Sequence, residues 1–594
     1  MEKTWSLDAL YPSFDSEEFQ GDFNKLESKI QEVTEWSEEN LKDQNDLTGK
    51  LEKSIEEQEE ISRLLRKLMS YAHLRSATNA KDQDALQYME KVSKKMTALT
   101  KASVIFEKWL KDLSEKELKS AIDDSKVLPE YEYYLMEKFE RTKYLLSEEE
   151  EITIAKMQET GSQAWNNLQN VLTSTLMIEV EIGGKIQKLP LPAVRNLAYH
   201  KDSKVRKAGY EAELEAYDRI EESSAAALNG IKGEVLTTTK MRGYQSPLEE
   251  TVLKSRIDRE TLDAMIEAMK ESLPKFREYY RRKGELLGHK NGLPIYDIFA
   301  PIGESSMEFS YEEAKDYIVK NFRSFNPELA DFTAHAFENR WIDAEPREGK
   351  RGGAFCANLH PIGESRILAN FDGSFSNMTT LAHELGHAYH GYCLRNEKLL
   401  NSSYTMPIAE TASIFCETIV VSAALKDADK KEAFGILEAD LQGAGQVIVD
   451  IMSRFLFESK VFEIREDHAL SVEELKETML WAQKEAYGEG LDPDSLHPYM
   501  WLNKPHYYSA GLSFYNFPYA FGLLFAKGVY SEYLKQGTEF VSRYERLLGA
   551  TGKNEIKDVA KMVGINVTDP DFWRSSLKLI EKDIDEFIRL SKEV

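Results

Sequence analysis

The stretch Asn377-Met378-Thr379-Thr380-Leu381-Ala382-His383-Glu384-Leu385-Gly386-His387-Ala388-Tyr389-His390 reads as one helix. Ser376 or Asn377 can cap its first turn, and good helix formers follow. Leu381, Ala382, Leu385 and Ala388 make the helix apolar on several sides, which predicts a place in the core. His383 and His387 are one turn apart and project side by side, so two imidazole nitrogens can grip one ion. Glu384 is offset around the helix, where it can face a water on that ion without being a ligand. With 11 histidines in 594 residues, a chance His-Glu-x-x-His is on the order of one in fifty. Three polar side chains on a buried helix need partners, and a metal supplies them. Gly386 inside the helix costs about 1 kcal/mol relative to alanine. Its place beside the histidines predicts room for a second backbone segment or for substrate.

A catalytic zinc takes three protein ligands and leaves a fourth position open. Glu410 and His390 compete for the third place. Glu410 lies in Met406-Pro407-Ile408-Ala409-Glu410-Thr411-Ala412-Ser413-Ile414-Phe415-Cys416-Glu417, which reads as a second buried helix with Pro407 in its first turn. His390 shares a straight helix with His383, two turns away, and converges poorly on the same ion. Geometry therefore favours Glu410, and Glu417, two turns beyond it, is expected to orient an imidazole.

Outward from the motif, most of the chain reads as helix. Apolar residues recur at helical spacing over 51–71, 96–113, 148–173 and 205–236, and glycine and proline are sparse at 32 and 17. Two extended elements stand out. Residues 177–182 and 185–189 flank Gly183-Gly184, the signature of a hairpin turn. Residues 365–371, just before the motif, form the second; the edge of its 367–371 part is the expected place for a bound peptide to add as a strand. The loop 349–354 is rich in glycine, which fits either close backbone approach or a plain connector. The expected fold is mainly α with a small β element near the site. The chain is expected to divide near residue 190, into an N-terminal helical region (1–190) and a catalytic region (191–594).

Composition narrows the class. Net charge is −26, which argues against nucleic acid as a partner. No uninterrupted apolar stretch reaches the length of a membrane span. The N-terminus does not read as a secretory signal. Cys356, Cys393 and Cys416 are few and far apart, which fits a reducing cytoplasm and no disulfide framework.

The His383–His387 motif, the segment Ala409–Glu417 and the stretch Lys504-Pro505-His506-Tyr507-Tyr508-Ser509-Ala510-Gly511-Leu512-Ser513-Phe514-Tyr515-Asn516-Phe517-Pro518-Tyr519 together resemble the oligoendopeptidase F group of the thimet oligopeptidase-like zinc peptidases. The resemblance extends over nearly the whole chain. It implies a helical, zincin-like molecule with a deep channel that admits short peptides and excludes folded proteins. It also implies one zinc ion on His383, His387 and Glu410, with Glu384 as general base. His506, Tyr515 and Tyr519 match the group's histidine and tyrosines that hold the scissile carbonyl; Phe517 and Pro518 stand where relatives carry further tyrosines. The expected function is internal cleavage of oligopeptides. A helical zinc carboxypeptidase and a non-catalytic peptide-binding protein with a vestigial metal site are the competing readings.

Overall fold

A computed structural model describes residues 2–303 and 307–593. Helices Glu17–Asn40, Leu47–Thr78 and Gln83–Lys111 pack side by side, and further helices follow to Thr175. A hairpin of β1 (Met177–Ile182) and β2 (Lys185–Pro190) comes next. Gly183 and Gly184 both take positive φ at its turn, as the Gly-Gly pair predicts. More helices lead to Glu338. A sheet of β3 (Ile342–Asp343), β4 (Phe355–Leu359) and β5 (Glu364–Leu368) then precedes the helices that end the chain.

Local sequence explains many of the ends. Ser114/Glu117, Ser147/Glu150, Ser310/Glu313 and Ser471/Glu474 each form a reciprocal box that satisfies two amide donors at a helix start. Other ends depend on partners remote in the chain. The expected helix over 148–173 breaks into Glu148–Thr160 and Ser162–Thr175 at Gly161. Glu234 accepts there from the Ser162 amide (2.8 Å) and hydroxyl (2.6 Å), so the cap comes from another helix. The 205–236 helix likewise divides into Ser203–Tyr217 and Glu221–Arg242.

Among the described residues, three apolar cores result. Residues 5–102, with Leu359 and Leu368 of the sheet, form one; residues 41–139 form a second; the largest gathers residues 176–590 and encloses the motif helix. The small sheet joins the first core to the third. Its strand order is β3-β5-β4, with β3 parallel and β4 antiparallel to β5. Ala369 and Phe371 continue the pairing beyond β5 by donating to Asp343 and Ala344 carbonyls (2.8 and 2.9 Å). The expected 367–371 edge is therefore taken on the β3 side along its length, and on the β4 side as far as Leu368. The outer strands are β3, beside which the Lys3 carbonyl accepts from the Ala344 amide at 2.7 Å, and β4. Sequence patterning missed β4 because Phe355-Cys356-Ala357-Asn358 does not alternate.

The glycine-rich loop is an anchored connector. Arg351 N–H donates to the Ala77 carbonyl and Ala80 N–H to the Gly349 carbonyl, both at 2.8 Å, tying it to the end of the Leu47–Thr78 helix. Lys350 Nζ spans the Asp343 and Ala369 carbonyls at 3.1 and 2.6 Å.

Candidate metal centre and active site

The motif helix runs from Phe375 to Cys393, starting two or three residues earlier than the sequence implies. Its cap is Ser374, whose hydroxyl accepts from the Asn377 amide at 3.3 Å. Ser376 and Asn377 do not cap it, because burial of Phe375 and Met378 draws the first turn into the core. The Asn377 side chain instead accepts from the Asp372 amide at 2.7 Å.

The second helix crosses the first at very close range. A Cβ on Gly386 would lie 2.5 Å from the Ala412 carbonyl oxygen and 2.6 Å from Ser413 Cα. Gly386 thus makes room for backbone, one of the two reasons its sequence position implied. The run Met406–Asp427 is long and apolar enough to match a membrane span by length and composition, but over half of it is buried among neighbouring helices. Pro407 lies in its first turn, as expected. The run is broken at Glu410, between Met406–Ala409 and Thr411–Asp427.

That break turns the Glu410 carboxylate toward the motif. Its Oε2 lies 3.3 Å from His383 Nε2 and 3.3 Å from His387 Nε2, and it accepts from the Ser413 hydroxyl at 2.7 Å. Donors bonded at about 2.0–2.1 Å to a tetrahedral ion stand about 3.3 Å from one another, so the spacing fits a metal. All three ligand atoms lie within 4.8 Å of each other, and this is the grouping of metal-ligating side chains found among the described residues. His383 Nδ1 donates to Glu417 Oε2 at 3.0 Å, which fixes the tautomer that leaves Nε2 free for the ion. Burial opposes charge on His383, but Glu410 and Glu417 outweigh it and hold the imidazole above its ordinary pKa. Burial would raise Glu410, yet the two histidines hold it far below the usual carboxylate range. The trio could hold a cation.

His390 is elsewhere. Its Nε2 faces the Thr551 hydroxyl at 2.8 Å and its ring stacks on Tyr404 at 4.0 Å. Glu384 is buried on the motif helix, and no hydrogen bond from a described residue reaches its carboxylate. Burial pushes its carboxyl upward, against the pull of His383 and His387.

The C-terminal residues form an aromatic shelf. Gly522, on the helix Phe517–Gln536, would place a Cβ 2.9 Å from Glu410 Cβ, so this helix rests on the Glu410 side chain. Tyr519 lies one turn earlier, with its hydroxyl 3.4 Å from that of Tyr515. The His506 and Tyr515 rings are 6.2 Å apart. Asn516 Nδ2 donates to His506 Nε2 at 3.0 Å, while Asn516 Oδ1 accepts from Arg454 at 3.4 Å. Arg454 is held in turn by Asp450. The guanidinium fixes which way the amide points, and the amide places the His506 proton on Nδ1. Burial, reinforced by Arg454 and Lys504, pushes His506 down to about 3, so the ring is neutral at working pH. Phe514, just before Tyr515, takes a left-handed φ of 54° that non-glycine residues rarely adopt. Its amide donates to Glu458, which pairs with Lys232 at 2.6 Å. Arg454, Asp450, Asn516 and Glu458 were not legible in the sequence, because no motif links residues so far apart in the chain.

The model of peptidase family M3 matches residues 196–579, which is more than half of the chain. The chain belongs to peptidase family M3. A second family model, described as oligopeptidase F, matches residues 109–177 of this M3 peptidase. It is 26% identical to oligopeptidase PepF of Bacillus subtilis, over all of this chain and 88% of the relative. The group B oligopeptidase PepB of Streptococcus agalactiae is 25% identical, over 89% of this chain and 88% of its own. The crystal structure of oligoendopeptidase-F from Enterococcus faecium shares the fold, with a TM-score of 0.73 at 20% identity over 97% of this chain and 99% of its own. This M3 peptidase is accordingly a metalloendopeptidase with a metal cofactor and a mainly helical fold.

Proposed function

We propose that the chain is a zinc-dependent endopeptidase of short oligopeptides, in which His383, His387 and Glu410 hold one zinc ion and Glu384 is the general base. The observation that carries the reading is the set of three donors at tetrahedral spacing with an unengaged carboxylate on the same helix. An ion held there supplies a Lewis acid that polarises the scissile carbonyl and acidifies a water. Two imidazoles and a carboxylate suit zinc, although the same donors accept cobalt or manganese.

The chain's own groups then divide the work. Glu384 takes the proton of the attacking water and passes it to the leaving amine. Neutral His506, through Nδ1–H, and the Tyr515 and Tyr519 phenols donate to the carbonyl oxygen as negative charge develops. A substrate strand adds to the free side of β4, whose Asn358 Nδ2 donates to the His387 carbonyl at 3.3 Å. Cavities of about 1330 and 900 Å³ flank the 504–511 loop and share Asn167, and neither is lined by His383, His387 or Glu410. We place the division between N-terminal and catalytic regions near residue 190, at the end of the hairpin whose first strand already joins the largest core, and the enzyme in the cytoplasm, where three unpaired cysteines are stable.

The test is an oligopeptide blocked at both ends. The expected result is internal cleavage that a chelator abolishes and zinc restores. Failure to cleave the blocked peptide, with release of residues from an unblocked one, would favour a carboxypeptidase. Purified protein without metal and without chelator-sensitive hydrolysis would favour the vestigial site.

A further inference from the structure

The peptide group that joins Ser513 to Phe514 is gripped from both ends. Its carbonyl oxygen accepts from the Thr251 hydroxyl at 2.9 Å, and its N–H donates to Glu458 Oε2 at 3.1 Å. Thr251 stands on the helix Pro247–Lys254 and Glu458 on the helix Ile451–Arg465. Phe514, which follows that peptide, carries the left-handed φ of 54°. Phenylalanine has no polar side-chain atom to compensate such a backbone, as asparagine or aspartate has. Its ring instead packs against Phe455 and Phe462, with centroids 5.5 and 5.6 Å away. With the peptide plane and the ring both held, rotation about the Phe514 N–Cα bond is held as well. Glu458 is buried, and its other oxygen accepts from buried Lys232 at 2.6 Å. Lys232 Nζ in turn lies over the Phe462 and Tyr507 rings, at 4.7 and 5.8 Å. A charged acceptor holds an amide more tightly than a neutral one, and Lys232 is the counter-ion that lets this charge stay in the core. One turn before Glu458, Arg454 reaches Asn516, so a single helix braces both neighbours of Tyr515.

We infer that Glu458 is a positioning residue for the reaction: paired with Lys232, it holds Phe514 left-handed and so aims Tyr515 at the scissile carbonyl and Asn516 at His506. The inference rests on the catalytic reading of His506 and Tyr515 above. Glu458 touches no substrate and acts through the backbone of Phe514. An ungripped Phe514 returns to the ordinary α or β region, a change in φ of about 110° or more. Such a turn carries the Tyr515 phenol away from the His506 ring, which now lies 6.2 Å from its own. Strain of this kind persists where the surroundings over-determine it, and it collects at sites that must be pre-organised.

The experiment measures kcat, KM and bound metal with a peptide blocked at both ends. A wild-type enzyme that leaves this peptide intact refutes the endopeptidase reading before any variant is compared, and the inference falls with it. Glu458→Gln offers one oxygen to two buried donors, Lys232 and the Phe514 amide. Its kcat should fall about 100-fold, with KM and metal content near wild type. Thr251→Val frees the other end of the same peptide without disturbing a charge, and so decides the matter even where a buried lysine without its partner unfolds the chain. It should lower kcat by about tenfold, again at unchanged KM. Phe514→Gly supplies a residue that takes positive φ without a grip. In the Phe514→Gly background either substitution should therefore cost less than about threefold. An equal cost in both backgrounds, an unchanged kcat in Thr251→Val, or loss of metal in either variant overturns the inference, since a pair that merely ties helices together behaves in that way.

Discussion

Gly386→Ala tests how far the metal centre depends on the approach of two helices. The new methyl would meet the Ala412 carbonyl oxygen at 2.5 Å, the Ala412 carbonyl carbon at 2.8 Å and Ser413 Cα at 2.6 Å. Carbon atoms in contact sit at about 3.5–4.0 Å, so the helices must part by about 1 Å. All three atoms are backbone, and no rotamer change relieves them. Overpacking of this kind costs about 1–3 kcal/mol, and the gain in helix propensity returns about 1 kcal/mol of it. The larger consequence is local. Glu410 is two residues from the contact, and moving its Oε2 by about 1 Å leaves no point within bonding distance of all three donors. Metal content after dialysis should fall well below one ion per chain, and kcat/KM should drop by about 100-fold. Gly443→Ala is the matched control: it also sits in a helix, with no atom within 4 Å of the added carbon, and should stabilise by up to about 1 kcal/mol. Full metal content in Gly386→Ala, with kcat/KM within about threefold of wild type, would refute the claim that this contact sets the donor spacing.

Three further outcomes follow from the same geometry. Glu384→Gln should keep its metal and KM but lose about 100- to 10,000-fold in kcat; normal turnover with metal bound would remove Glu384 as the base. Glu417→Ala releases His383 Nδ1 and should weaken metal affinity by about 10- to 100-fold in a chelator competition. His390 is held down to about 3 by burial, with His387 adding to the effect. The folded state therefore binds fewer protons than the unfolded chain, and stability present above pH 6.5 is lost as pH falls toward 3. His390→Gln should remove about 2 kcal/mol of the loss between pH 7.5 and pH 5, measured by urea unfolding at each pH. An unchanged slope would show that His390 does not titrate in this way.

The parts of the molecule that local pattern controls were legible in advance. His383 and His387 follow from helical spacing, the hairpin from Gly183-Gly184, and Gly386 from the oddity of glycine in a buried helix. Glu410 was favoured on convergence alone, and its carboxylate now lies 3.3 Å from both imidazoles. What the sequence hid depends on pairing across long separations. The 365–371 strand looked available because β3 and β4 are short and carry no alternation. Nothing near Asn516 indicates that Arg454, 62 residues away, orients its amide. Helix ends failed for the same reason: Glu234 caps a helix 72 residues before it.

The contact between Gly522 and Glu410 has a consequence in time. Donors at 383, 387 and 410 come together early in the sequence order of the site, but the shelf that rests on them begins at His506 and ends past Gly522. A chain leaving the ribosome therefore lacks a finished centre until most of it has been made. A peptidase arranged in this way stays inert during its own synthesis, when it and its neighbours are most unfolded and most open to cleavage.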